Sequence, residues 1–152
     1  MKLPRIRPLT VATVALTSAT ILRFFPMFEP ADAEEARRIP LHIVLGMTIA
    51  ATLFSDWYGK PGIRGWIDSV LATLGIVLIG ASISTGVFVV AEKLIAGEWE
   101  SLGRLLVEIY LAGQFATLVV FVYLLDTHHL AALALATIIL HHVARYERSK
   151  RP

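Results

Sequence analysis

Cysteine is absent from the 152 residues, which excludes disulfides, thiolate metal sites and cysteine-nucleophile chemistry. There is no glycine-rich phosphate loop, no His-Glu-x-x-His zinc pattern and no serine in a nucleophile-elbow context, so the sequence signatures of nucleotide binding and of common hydrolases are missing. The polar connectors are too short to hold a soluble catalytic domain. Intramembrane hydrolysis needs paired aspartates or a Ser/His pair at depth, whereas the aspartates fall near expected helix ends. Charge is also scarce. Only 17% of residues are charged, and the net charge of +2 comes from the basic ends, which suits anionic lipid headgroups and not nucleic acid.

Apolar residues are plentiful, at 56% of the chain with a mean hydropathy of +0.67. That exceeds what a soluble domain of this size can bury around one core, so lipid must cover the excess. Five apolar segments carry it, at 9–25, 39–54, 66–90, 105–125 and 130–143. Each approaches the ~20 helical residues that cross a hydrocarbon core. They are continuous and rich in Leu, Ala, Ile and Val, without the strict alternation of barrel strands. The fold class expected is all-α: a single polytopic transmembrane bundle of four to five spanning helices.

The connectors define two ends, called side A for the turn around Gly59 and side B for the loop around Ala33. Asp32 followed by Glu35 fits a capping box that would start the second helix near Asp32. Gly59 is placed as a left-handed cap, with Pro61 stopping continuation. Trp57, Tyr58 and Trp66 on side A and Trp99 on side B fit interfacial belts. Asp68 and Asp126 sit at expected helix starts as caps. The turn at Asp126-Thr127 is so short that the last two helices are expected to be antiparallel neighbours.

The first segment is ambiguous. Thr10, Thr13, Thr17 and Thr20 line one helical face, which suits either contact with neighbouring helices or a surface-lying helix facing headgroups. If all five segments cross, side A holds Lys2, Arg5, Arg7, Lys60 and Arg64, and side B holds the other nine Lys and Arg. If the first does not cross, the split becomes two against twelve. Both counts place side B and the C-terminus in the cytoplasm, in a bacterial-type inner membrane.

Histidine is the residue type most open to a functional reading. His128 and His129 open the last segment and His141 and His142 close it. His42 lies on side B with the His141-His142 pair, so a bis-histidine haem b held by His42 and His141 or His142 is one expectation. The alternative is helix-end histidines at headgroup depth. Adjacent histidines point about 100° apart on a helix and rarely chelate one metal. Glu108, one turn inside the fourth segment with Arg104 four residues earlier, fits an interfacial ion pair or, if dry, a proton or cation carrier. Gly75, Gly80, Ser84 and Gly86 form a small-residue patch for close helix packing, within the chain or with a partner.

Trp57-Tyr58 followed by Lys60-Pro61, in a five-segment chain of about this size, is similar to the start of the tryptophan-rich translocator-protein family. That family's run of prolines and its further tryptophans are absent here, so no ligand site is carried across. The function expected is non-enzymatic: an accessory, assembly or structural subunit of a membrane complex, held by the bilayer and by other subunits or self-association. A small homo-oligomeric transporter or channel is the alternative.

Overall fold

The structure, a computed structural model, describes residues 6–24, 35–97 and 101–150, with the backbone alone at 22–24 and 35–40. The helix start near Asp32, its capping box and Trp99 lie outside the described residues. The described residues are almost all helical, with no strand among them: α1 (Pro8–Phe24), α2 (Glu35–Phe54), a 3-10 turn (Ser55–Trp57), α3 (Gly62–Ala96), α4 (Leu102–Tyr123) and α5 (Thr127–Ser149).

Three of these helices, α3, α4 and α5, are long and apolar enough to cross a membrane. The expected four to five are not confirmed. At 17 residues, α1 extends only about 26 Å. α2 begins with the charged stretch Glu35 to Arg38, which shortens its apolar part to Leu41–Trp57. α3 is the longest at 35 residues, about 52 Å. It overruns the apolar stretch at both ends, so residues 92–96, expected in a loop, are its last turn.

Helix ends follow backbone chemistry. α3 closes on Gly97 at φ +70°, whose N–H reaches the Lys93 carbonyl. Gly59 takes the same left-handed conformation, φ +70°, in the turn between α2 and α3. Asp126 caps α5 as expected, accepting the His128 N–H at 2.7 Å. That hydrogen bond holds the Asp126 carboxyl below the usual carboxylate range. Asp68 is a correction: α3 starts at Gly62, and the Asp68 carboxylate takes the Lys60 ammonium at 2.7 Å instead of capping.

α3 is the central post. α2 packs antiparallel to it through small residues. A Cβ on Gly46 would strike the Ser84 hydroxyl and come within 2.5 Å of the Gly80 carbonyl. One on Gly80 would lie 2.6 Å from the Met47 sulfur, and one on Gly75 would lie 2.8 Å from the Phe54 ring. α4 packs on another side. Gly86 faces Ile109, and the Ser82 hydroxyl lies 2.8 Å from that of Thr117 and 3.2 Å from the Gly113 carbonyl. As residue numbers rise along α4 they fall along α3, so this pair is antiparallel too.

α5 overturns an expectation. The Thr137 hydroxyl meets Thr73 at 3.0 Å, and His141 Nδ1 meets the Ser69 hydroxyl at 2.8 Å. The Arg148 guanidinium then reaches the Tyr58 carbonyl at 2.9 Å. α5 therefore also runs antiparallel to α3, in the same sense as α4, and its C-terminal end lies on side A beside the Gly59 turn. The last two helices are not antiparallel neighbours, and the C-terminal end of α5 is not on side B.

The physical reason is splay. If both helices lay flush with α3, the end of α4 and the start of α5 would be offset by about 15 Å along it at 1.5 Å per residue. Residues 124–126 cannot cover that distance, because they are already turned, with Leu125 N–H on Val122 O and Asp126 N–H on Tyr123 O. The two helices diverge from α3 instead. The short-turn expectation assumed helices lying side by side.

This topology also changes the charge count. Among the described helices and turns, side A carries Arg7, Lys60, Arg64, Arg145, Arg148 and Lys150. Side B carries Arg23, Arg37, Arg38, Lys93 and Arg104. Among the described residues the count is six against five, and the expected excess on side B is not seen there.

Candidate functional site

The densest polar chemistry lies at the side A end, where α1, the 3-10 turn, α3 and α5 converge. Tyr58, expected in an aromatic belt, is fully buried; Trp57 and Trp66 keep the exposed positions. The Tyr58 phenol lies 2.7 Å from the Thr73 hydroxyl. Thr73 donates to the Ser69 carbonyl at 2.9 Å, which leaves its oxygen to accept from Tyr58 and from Thr137. Burial pushes the Tyr58 phenol well above its ordinary range, and the Thr73 hydrogen bond offsets this only in part.

Around that core sits a charged ring. Asp56 takes Arg7 at 2.9 Å and Arg148 at 3.3 Å, so one carboxylate ties the start of α1 to the end of α5. The backbone N–H of Arg7 donates to the Ser55 hydroxyl at 3.2 Å. The buried Glu147 carboxylate accepts from the Thr10 N–H at 3.2 Å and from its hydroxyl at 3.1 Å. The threonine stripe of α1 thus divides. Thr10 binds α5, while Thr13, Thr17 and Thr20 return to the carbonyls of Leu9, Thr13 and Leu16 on their own helix.

Ser69 and His141 form a hydroxyl–imidazole pair that resembles a nucleophile and its base, but the surroundings do not support catalysis. Ser69 lies within α3, is fully buried, and its hydroxyl lies 2.9 Å from the Gly65 carbonyl. The same hydroxyl lies 2.8 Å from His141 Nδ1, so it joins the α3 backbone to the imidazole. The imidazole stacks on Trp66 with ring centroids 3.9 Å apart and planes 13° apart. A substrate has no approach to a hydroxyl at 0% exposure, so the pair acts as a structural lock between α3 and α5.

The other expected site residues are dispersed. His42 meets the edge of Phe88 at 5.5 Å, whereas His141 lies beside Ser69, nineteen residues away on α3. That is about 28 Å of helix, so a haem b iron cannot take both as axial ligands. His142 is exposed and touches the edge of Trp66 at 5.9 Å. Among the described residues no three His, Asp or Glu cluster to hold a metal. Glu108 pairs with Lys93 of α3 at 3.3 Å, in place of the expected partner Arg104, and its side chain is 44% exposed. Gly75, Gly80 and Ser84 receive α2 and Gly86 receives α4. Gly46, the α2 residue that closes this contact, was missed by sequence reasoning although it is the only glycine in α2.

Two further features have binding character. The first is the outer face of α4, where Val107, Tyr110, Leu111, Leu118 and Phe121 are all more than half exposed. Gln114 is exposed at the centre of that stripe, and no described residue hydrogen-bonds to it. It borders a groove between α3 and α4 whose lining includes Gly86 and Gly113. The second is a cavity of about 340 Å³ in the wedge left by the splay of α4 and α5.

No protein-family model, curated protein or solved structure gives a significant match to this chain.

Proposed function

We propose that the chain is a non-catalytic integral-membrane subunit that docks another transmembrane helix against α4. The single observation carrying this is Gln114, a carboxamide at mid-helix on the bare apolar stripe of α4. An amide facing lipid leaves two donors and an acceptor unsatisfied, whereas a polar group on a facing helix satisfies them. Gln114 also borders the groove between α3 and α4, whose glycines Gly86 and Gly113 already hold those two helices together. A polar side chain on the partner, opposite Gln114, is the chemistry this surface recognises. The side A polar network supports a scaffold role, because its hydroxyls and charges are engaged with each other and not directed at an open site.

The test is purification of the full chain from its native membrane in mild detergent. A stoichiometric helical membrane protein that co-purifies with the natural chain and is lost with Gln114→Leu supports the proposal. Recovery of this chain alone contradicts it. A carrier function through Glu108 has less support, since that carboxylate pairs with Lys93 near the ends of two helices.

A further inference from the structure

The outer face of α5 changes character at His142. Below it, Leu135, Ile138 and Ile139 are exposed aliphatic side chains. Beyond it, the same face carries Arg145, Tyr146, Ser149 and Lys150, all exposed. From Leu135 onward these positions recur at intervals of three or one residues, which keeps them on one side of the helix.

The depth of the change is fixed from α3. His141 bonds Ser69 at 2.8 Å, and the His142 ring meets the edge of Trp66 at 5.9 Å. Trp66 is 37% exposed at the side A start of the apolar run of α3, where a tryptophan marks the membrane–water boundary. Arg145 lies about 4.5 Å past His142 along the axis, within a headgroup layer roughly 5–8 Å deep. Lys150 starts farther out, but its ammonium folds back over the Tyr146 ring, 5.4 Å from the centroid. Both charges therefore sit near the level of Tyr146.

No acid on side A offsets them among the described residues. Asp56 holds Arg7 and Arg148, and Asp68 holds Lys60. Glu147 is buried against Thr10 of α1, on a different side of α5. Two cations, an imidazole and two hydroxyls stand directly above an aliphatic surface. An acidic protein segment would match the charges and leave Ile138 and Ile139 bare, whereas one lipid covers both parts.

We infer that the side A end of α5 binds an anionic phospholipid, its phosphate taken by Arg145 and Lys150 beside His142 and its chains lying along Ile138 and Ile139.

Trp66 serves as the reporter. The full chain carrying Trp57→Phe and Trp99→Phe retains it as the only tryptophan. In mixed bilayers, phosphatidylglycerol brominated on its acyl chains should quench Trp66 more strongly than brominated phosphatidylcholine, which has the same phosphate without net charge. Arg145→Gln and Lys150→Gln should each cut the relative affinity about fivefold, the equivalent of about 1 kcal/mol per charge near the surface. Arg64→Gln removes the same charge from a face of α3 about 160° away from Trp66 and should leave the preference intact. Raising salt from about 0.1 M to about 1 M, which shortens the Debye length from ~10 Å to ~3 Å, should weaken the preference with the stripe unaltered. Free glycerol phosphate, a headgroup without chains, should not compete. Equal quenching by the two lipids, which an acidic protein partner for this stripe would give, would overturn the inference. So would a preference insensitive to salt, an equal loss with Arg64→Gln, or competition by glycerol phosphate. No partner protein is present in this experiment, so its failure leaves docking against α4 standing.

Discussion

Ser69 on α3 and His141 on α5 meet at 2.8 Å although seventy-two residues separate them, and this bond with its neighbours sets the direction in which α5 returns. His141 is buried, held between the serine and the Trp66 ring. Removing the hydroxyl leaves the buried Nδ1 without its hydrogen-bond partner. Ser69→Ala is therefore expected to lower stability by about 1–3 kcal/mol, read as a shift of the unfolding midpoint in detergent. A midpoint unchanged from the parent would show that the bond does not lock the helices.

Asp56 joins three elements through Arg7 and Arg148. Its side chain is 36% exposed, so its loss should cost less than that of a fully buried pair, about 1–3 kcal/mol for Asp56→Ala. The effect should couple to Arg148→Ala in a double-mutant cycle, because both substitutions break one contact. Additive losses would mean the ring is not a unit.

The Tyr58 phenol gives the fold a pH dependence with a definite sign. Its pKa is raised in the folded chain by burial, so folding favours the protonated form. The contribution is full below the unfolded value of about 10 and is lost as pH rises from there toward the folded value. Unfolding followed between neutral and strongly alkaline pH should show a steeper loss for the parent than for Tyr58→Phe. Parallel profiles would contradict it.

Two glycines separate crowding from backbone strain. Gly46→Ala puts a methyl into the Ser84 hydroxyl and the Gly80 carbonyl, and should cost about 1–3 kcal/mol by forcing α2 off α3. Gly97→Ala meets open space but sits at φ +70°, so it should cost only about 1–2 kcal/mol of left-handed strain. Helix–helix distance measurements should move for the first variant and not for the second.

The helices themselves were legible in the sequence, because continuous Leu, Ile, Val and Ala runs leave little choice but helix, and Gly59 and Asp126 mark turns by their own chemistry. The side A network was not. Tyr58, Thr73, Thr137 and His141 come from three elements, and nothing in their spacing shows that they meet. Aromatic residues beside a turn look interfacial until a neighbouring helix covers one of them, as α5 covers Tyr58. The path of α5 was hidden for a related reason. A short turn implies antiparallel neighbours only when both helices lie flush, and the hydrogen bonds of Thr137 and His141 to α3 override that. The small residues of α3 were visible as a packing surface, but not which helix each would receive.

The most direct measurement of the docking proposal uses the absence of cysteine. Leu118→Cys adds the only thiol, on the outer stripe of α4, and a thiol-anchored photo-crosslinker placed there can be activated in native membranes. A single discrete protein adduct that disappears when Gln114→Leu is added is the expected result. Adducts with lipid alone, or a protein adduct indifferent to Gln114, would contradict a subunit that docks through this face.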